Sequence, residues 1–302
     1  MRRAVEEGYL FARFEDYVNH LIFSIPLPLR EYPAQVKVYL PEHGAKRDQV
    51  LKFEQPSLDQ LPYVNHETIA TLFANLTVDN VMRLFKRVLL DTSNLFMSHD
   101  TTKLVNCCEA IKSLMFPFKY EVIYVPHLPR VLLDIVDVPC VFMLGIEEKL
   151  FNEAEKHIKD GTYIVDLDNN HIKQQPHTSV VLNRAGTTKD LSIDDLPDLP
   201  YQMQKSLTQK LKEIVKKGKR RMLNEAEVHQ VRECFFKFFV NLLQYYYVGV
   251  NASEFKQRGG QNQSLIYDPS YLFHTQMFLQ QYQNFDPEAF NFLRVFSYMP
   301  LF

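Results

Sequence analysis

Between Thr68 and Ile146 the spacing of apolar residues changes period repeatedly, and this alternation limits the fold more tightly than any other feature of the chain. Ile69, Leu72, Phe73 and Leu76 recur as they would on one helical face. Thr77-Val78-Asp79-Asn80 then opens a second helix holding Val81, Leu84, Phe85, Val88 and Leu89. Ser93 to Ser98 reads as a short strand, and Lys103 to Leu114 as a helix stopped by Pro117. Tyr120 to Val125 is β-branched and aromatic and ends at Pro126, as a strand would. A helix through Val131 to Ile135 leads into a strand at Val141 to Ile146, and Thr162 to Leu167 is one more candidate strand. Strands and helices alternating at this spacing predict right-handed crossovers and a largely parallel sheet covered on both faces, centred on Tyr120 to Val125.

The flanks have a different character. Phe14, Val18, Leu21 and Ile22 predict one amphipathic helix, closed by Ile25-Pro26-Leu27-Pro28. Val36, Val38 and Leu40 alternate with polar neighbours, a Pro41-Glu42-His43-Gly44 turn follows, and Val50, Leu51 and Phe53 complete a hairpin or two short strands. Residues 56–173 therefore form an α/β module, and the polar stretch 174–195 an exposed linker. Residues 196–302 form an all-helical module. Within it a basic helix precedes a long one, Val228 to Val248, whose aromatics make it central, and a last helix spans Thr275 to Phe285.

Composition excludes several classes of function. Lys plus Arg total 34 against 36 Asp plus Glu, so nothing global attracts nucleic acid, and no segment has the length of an apolar membrane span. Met1-Arg2-Arg3 is followed by mixed acidic sequence with no secretory pattern, so the cytoplasm is the expected compartment. Cys107, Cys108, Cys140 and Cys234 form no CxxC pair and are expected to be reduced core thiols.

Enzymatic motifs are also missing. The nine glycines form neither GxGxxG nor GxxxxGK[ST], so no phosphate cradle is expected. There is no GxSxG elbow, and His66-Glu67 lacks the second histidine a zinc site on a helix needs. Adjacent Cys107 and Cys108 cannot both face one ion, and neither metal nor cofactor is expected. Asp166 and Asp168, two apart, would share a side of a strand as a metal or acid/base pair requires, although Asn169-Asn170 directly after them favours a turn. The basic group Lys216, Lys217, Lys219, Arg220 and Arg221 suits an anionic lipid surface, a localisation signal or, the favoured reading, a solvated helix end.

Several separated segments carry a family pattern. They include Ser24-Ile25-Pro26-Leu27-Pro28, Leu72-Phe73-Ala74-Asn75-Leu76-Thr77-Val78-Asp79-Asn80, and Leu114-Met115-Phe116-Pro117-Phe118-Lys119-Tyr120. Tyr124-Val125-Pro126-His127-Leu128-Pro129, Pro139 to Ile146, Val165 to Asp168 and Leu196-Pro197-Asp198-Leu199-Pro200 continue it, with Phe235 to Phe239 and Thr275 to Phe278 toward the C-terminus. In this order they resemble the DENN domain proteins, guanine-nucleotide exchange factors for Rab-family small GTPases. The resemblance implies an upstream longin-like module, of which residues 1–55 match only the end, then a central α/β module and a helical downstream module. It implies a Rab GTPase held between the longin and central modules, and peripheral membrane association through partners. A chain short of the longin sheet raises the alternative of a GTPase-binding scaffold without exchange activity. Tyr120 stands where the family usually has tryptophan, an exchange that keeps an aromatic for packing.

Ligands of open α/β sheets gather at the carboxyl ends of strands. That rule selects Ser98, His99 and Asp100 after one strand, His127 and Arg130 after another, and Glu147 after a third as candidate partner-binding residues.

Overall fold

The computed structural model describes residues 60–175, 197–217, 222–250 and 273–299, together with the backbone of 34–42 and 45–53 and isolated positions 19, 22 and 23. Most of the expected helix at Phe14 to Ile22 and nearly all of the expected linker 174–195 lie outside the described residues. The chain divides into two compact units, Met1–Tyr63 and Val64–Phe302. In the first, β1 (Ala34–Glu42) and β2 (Ala45–Phe53) pair antiparallel, with Ala34 opposite Phe53 and Glu42 opposite Ala45. This is the hairpin that the alternation of Val36, Val38 and Leu40 predicts.

The second unit opens with α1 (His66–Asn75) and α2 (Val78–Leu89), each started by a side-chain cap. Asn65 Oδ1 accepts from the Glu67 amide at 3.1 Å and Thr77 Oγ1 from that of Asn80 at 3.4 Å, so both helices begin with an amide partnered that would otherwise be left open. Then come β3 (Asn94–Ser98), α3 (Thr101–Leu114), β4 (Ile123–Val125), a 3₁₀ segment (Arg130–Asp137), β5 (Phe142–Glu147), α4 (Glu148–Ala154), β6 (Tyr163–Asp166) and β7 (His171–Gln174). The sheet order is β4-β5-β3-β6-β7; the first four strands are parallel and β7 is antiparallel to β6. This is the largely parallel α/β sheet the sequence implies.

The centre of that sheet is β3, all five of whose residues are buried, and not Tyr120 to Val125. Only Ile123–Val125 forms a strand, half-buried at the edge. Among the described residues its one neighbour is β5, which begins opposite Ile123, so the residues before it have no described partner strand. Tyr120 instead turns its ring into the core. The helix expected at Val131 to Ile135 is a 3₁₀ segment with a kink at Leu132, set between Pro129 and Pro139 with no side-chain cap.

Alternation along the buried strands fills both faces. Leu95 and Met97 join Phe142, Leu144, Ile146 and Ile164 beneath the 3₁₀ segment and α4. Phe96, Met143 and Val165 point the other way, into a larger core shared with α1, α2 and α3. Fully burying a side chain such as Phe96 or Leu144 contributes about 1.5–3 kcal/mol.

The downstream helices are α5 (Tyr201–Lys217), α6 (Glu225–Leu242), α7 (Tyr246–Gly249), α8 (Thr275–Gln283) and α9 (Pro287–Phe296). They close over the same core. Phe85 of α2 meets Phe235, Phe238 and Phe239 of α6 edge-on, with centroids 4.8, 5.5 and 5.7 Å apart. Phe118 packs on Phe239 and Phe296, each at 5.3 Å. The expected continuous helix to Val248 stops at Leu242, because Leu243 caps it out of helical geometry, and Tyr246 and Tyr247 beyond it are exposed. Helices α4 and α9 and strand β7 were not evident from periodicity; each is short or polar on one side.

Candidate partner-binding site

Strand register brings the candidate residues to one rim. Ser98 at the end of β3 lies opposite Glu147 at the end of β5, and Met97 lies opposite Asp166 at the end of β6. Ser98, His99, Asp100, His127 and Glu147, five of the six residues selected by the strand-end rule, therefore border the carboxyl edge of the sheet, while Arg130 opens the 3₁₀ segment beside α4.

Asp168 organises one half of this rim. Its Oδ1 accepts from Ser98 Oγ at 3.1 Å and from Lys103 Nζ at 2.5 Å, and its Oδ2 accepts from the His99 amide at 2.8 Å. Burial pushes the Asp168 carboxyl up, but Lys103, the His99 amide and the Ser98 hydroxyl together hold it below its ordinary value. Ser98 is itself buried, and its Oγ accepts from the Asp100 amide at 3.1 Å, so it shapes the loop and presents no surface. Asp100 caps α3, accepting from the Thr102 amide at 2.8 Å. His99 is exposed and pairs with Glu148, the first residue of α4.

The other half is built on a close approach. A Cβ on Gly145 would stand 2.1 Å from the Pro126 carbonyl oxygen, so only glycine lets the loop after β4 lie over β5. The Leu128 amide then donates to the Gly145 carbonyl at 2.7 Å. His127 Nε2 consequently sits 3.0 Å from Glu147 Oε1, and Glu147 also pairs with Lys149. Lys149 first, then His127, holds the Glu147 carboxyl below its usual range. Arg130 forks onto Glu153 of α4, with Nε and Nη2 each 3.0 Å from a carboxylate oxygen. Beside it in the 3₁₀ segment Val131 is 83% and Leu132 43% exposed, an outward aliphatic pair.

Periodicity missed Lys103, Glu148, Lys149, Glu153 and the Val131–Leu132 pair. Lys103 stands one turn into α3, where a long side chain reaches back to the strand ends. Glu148 and Lys149 directly follow a selected residue.

Asp166 and Asp168 do not converge. Asp166 Oδ1 accepts from the amides of Asp168 and Asn169 at 3.1 and 3.0 Å, and Asn170 takes a positive φ of 51°. That is a turn. Among the described residues no group of three or more His, Cys, Asp or Glu is disposed to hold a metal ion, and no helix is long and apolar enough to cross a membrane. Of the cysteines, Cys107 and Cys108 are core residues, with burial pushing the Cys107 thiol up to about 12. Cys234 is half-buried and Cys140 is exposed, so the expectation of four core thiols fails where Cys140 follows Pro139 in a loop.

Comparison with known proteins gives this geometry a family. The chain is similar to DENN domain-containing protein 2B of Mus musculus, 24% identical over 246 residues, which is 80% of this chain and 20% of that protein. It is similar to DENN domain-containing protein 2A of Mus musculus, 27% identical over 154 residues, covering 51% of this chain and 15% of that protein. Elicitor of plant defense protein 1 of Verticillium dahliae is 30% identical over 126 residues, 42% of this chain and 11% of that protein. The chain thus spans a fifth or less of the length of these relatives. The family model of the DENN (AEX-3) domain matches residues 2–170, from the start of the chain through the strands that build the rim, and the protein belongs to the DENN domain family.

Proposed function

We propose that this chain acts as a guanine-nucleotide exchange factor for a Rab-type small GTPase, which it engages along the carboxyl rim of its sheet. The observation that carries the reading is the match to the DENN domain over residues 2–170. The rim fits a protein partner. It carries fixed charges of both signs around the exposed Val131 and Leu132, and an interface of about 800 Å² per partner would take in both halves.

On this reading no covalent bond is made or broken by the chain. Exchange follows from preferential binding: a factor that holds the empty GTPase more tightly than the nucleotide-loaded form lowers nucleotide affinity by the same ratio. A shift of about 10⁴ requires roughly 5.5 kcal/mol of differential binding. The GTPase supplies the phosphate and magnesium ligands. Its place of work is the cytoplasmic face of a membrane in vesicle traffic, reached peripherally.

Release of a fluorescent guanine nucleotide from a panel of Rab proteins tests the reading. Acceleration of at least one member is expected. Tight binding with unchanged release would assign the chain to GTPase-binding scaffolds instead, and neither binding nor release across the panel would remove the proposal.

A further inference from the structure

Between 201 and 221 the sequence holds eight Lys or Arg against the single acid Glu213, in a chain whose formal net charge is −2. The structure sorts α5 by face. Leu207, Leu211 and Ile214 are buried where α5 packs beside α2 and α6, while Lys205 and Lys216 are exposed on the opposite side and Lys210, about a third of a turn round from them, is exposed on a flank. Lys212 is half-exposed and pairs with Asp79 at 2.7 Å. Glu213 is the one acid on α5 and accepts from Gln209 Nε2 at 3.2 Å.

Two ion pairs fix the direction of this helix. Lys86, near the end of α2, meets Asp198 just before α5, and Lys212, near the end of α5, meets Asp79 in the first turn of α2. The helices therefore run antiparallel. The first turn of α2 is tied to the β6–β7 turn, where Asn170 accepts from the Thr77 amide at 2.9 Å and from Asn80 Nδ2 at 2.8 Å. The basic end of α5 accordingly lies at the same end of the unit as the carboxyl rim of the sheet.

We propose that the outward face of α5 docks on the surface of an anionic lipid bilayer. Lysine ammoniums on long stems act as point charges suited to a diffuse layer of headgroups, and α5 carries lysines with no arginine fork. Two exposed side chains of interfacial character flank the lysines, Tyr201 at 56% exposure and Met222 at 53%. Single-stranded nucleic acid would call for aromatics interleaved among the cations, and Tyr201 is the only aromatic between 201 and 221. The inference does not depend on the exchange reading.

Co-sedimentation of the full chain with vesicles tests it. The chain should pellet with phosphatidylcholine vesicles containing about 30% phosphatidylserine at about 0.1 M salt, and be released at about 1 M. The variant K205Q/K210Q/K216Q should bind these vesicles about a hundredfold more weakly, roughly fivefold per lysine, at an unchanged thermal midpoint. The control K119Q/K156Q, which removes exposed lysines elsewhere, should bind like the parent. Four results overturn the proposal: equal binding to pure phosphatidylcholine, no binding to either vesicle, equal losses in the two variants, or capture of a single-stranded RNA oligonucleotide in place of vesicles.

Discussion

Asp168 ties the Ser98 hydroxyl of β3, the His99 amide and the Lys103 ammonium of α3 to the β6–β7 turn, so it has more influence on the rim than its position in a turn suggests. Replacing it by alanine leaves the Ser98 hydroxyl and the His99 amide without that acceptor, and should destabilise the protein by about 1–3 kcal/mol in denaturant titration. The sign of its pH dependence follows from a folded carboxyl held below its ordinary value. Its contribution is complete above the unfolded pKa, near 4, and is lost as pH falls through the lower folded value. Stability of the parent should therefore decline from about pH 5 downward, and D168N should flatten that decline. A pair as exposed as Arg130–Glu153 behaves differently: R130A should change stability by no more than about 1 kcal/mol. A loss of several kcal/mol would mean that Arg130 has a structural task.

Gly145 shows how an element is aimed. The Pro126 carbonyl fills the space a side chain would need, and this contact carries His127 to Glu147. G145A should cost about 1–3 kcal/mol through overpacking, read as a lower denaturant midpoint. Wild-type stability in that variant would show that the loop yields freely. Which elements were legible in the sequence follows from the same physics. Helices α1, α2 and α3 and strands β3, β5 and β6 announce themselves because one or both faces are buried at a regular period. Tyr120 to Val125 misled because a β-branched run records burial and propensity, whereas a strand also needs a neighbour to pair with, which begins only opposite Ile123. The rim was reachable from strand ends alone: five of the six residues chosen that way border it, and Arg130 sits beside α4. Lys103, Glu148 and Glu153 escaped because they stand on helices, which the strand-end rule does not scan. Ser98 is buried at the strand end, where its hydroxyl supports the loop from beneath.

Across the whole Val64–Phe302 unit, sheet-side and downstream helices share one apolar core, with Phe85 meeting three phenylalanines of α6. F85A should cost about 3–5 kcal/mol. It should lower the transition seen by backbone dichroism and by tyrosine absorbance together; separate transitions would mean that α5 to α9 fold apart from the sheet. The same unit holds the rim at one end, where Asp168 and Gly145 fix surface charges that are mostly paired among themselves. The most direct test of a partner-binding rim is nucleotide release from the responding Rab, measured with the parent and with H127A/R130A. Acceleration by the parent is expected, with a loss of about tenfold or more in the variant, equivalent to about 1.4 kcal/mol, at a nearly unchanged denaturant midpoint. A stably folded variant that releases nucleotide as fast as the parent would contradict it.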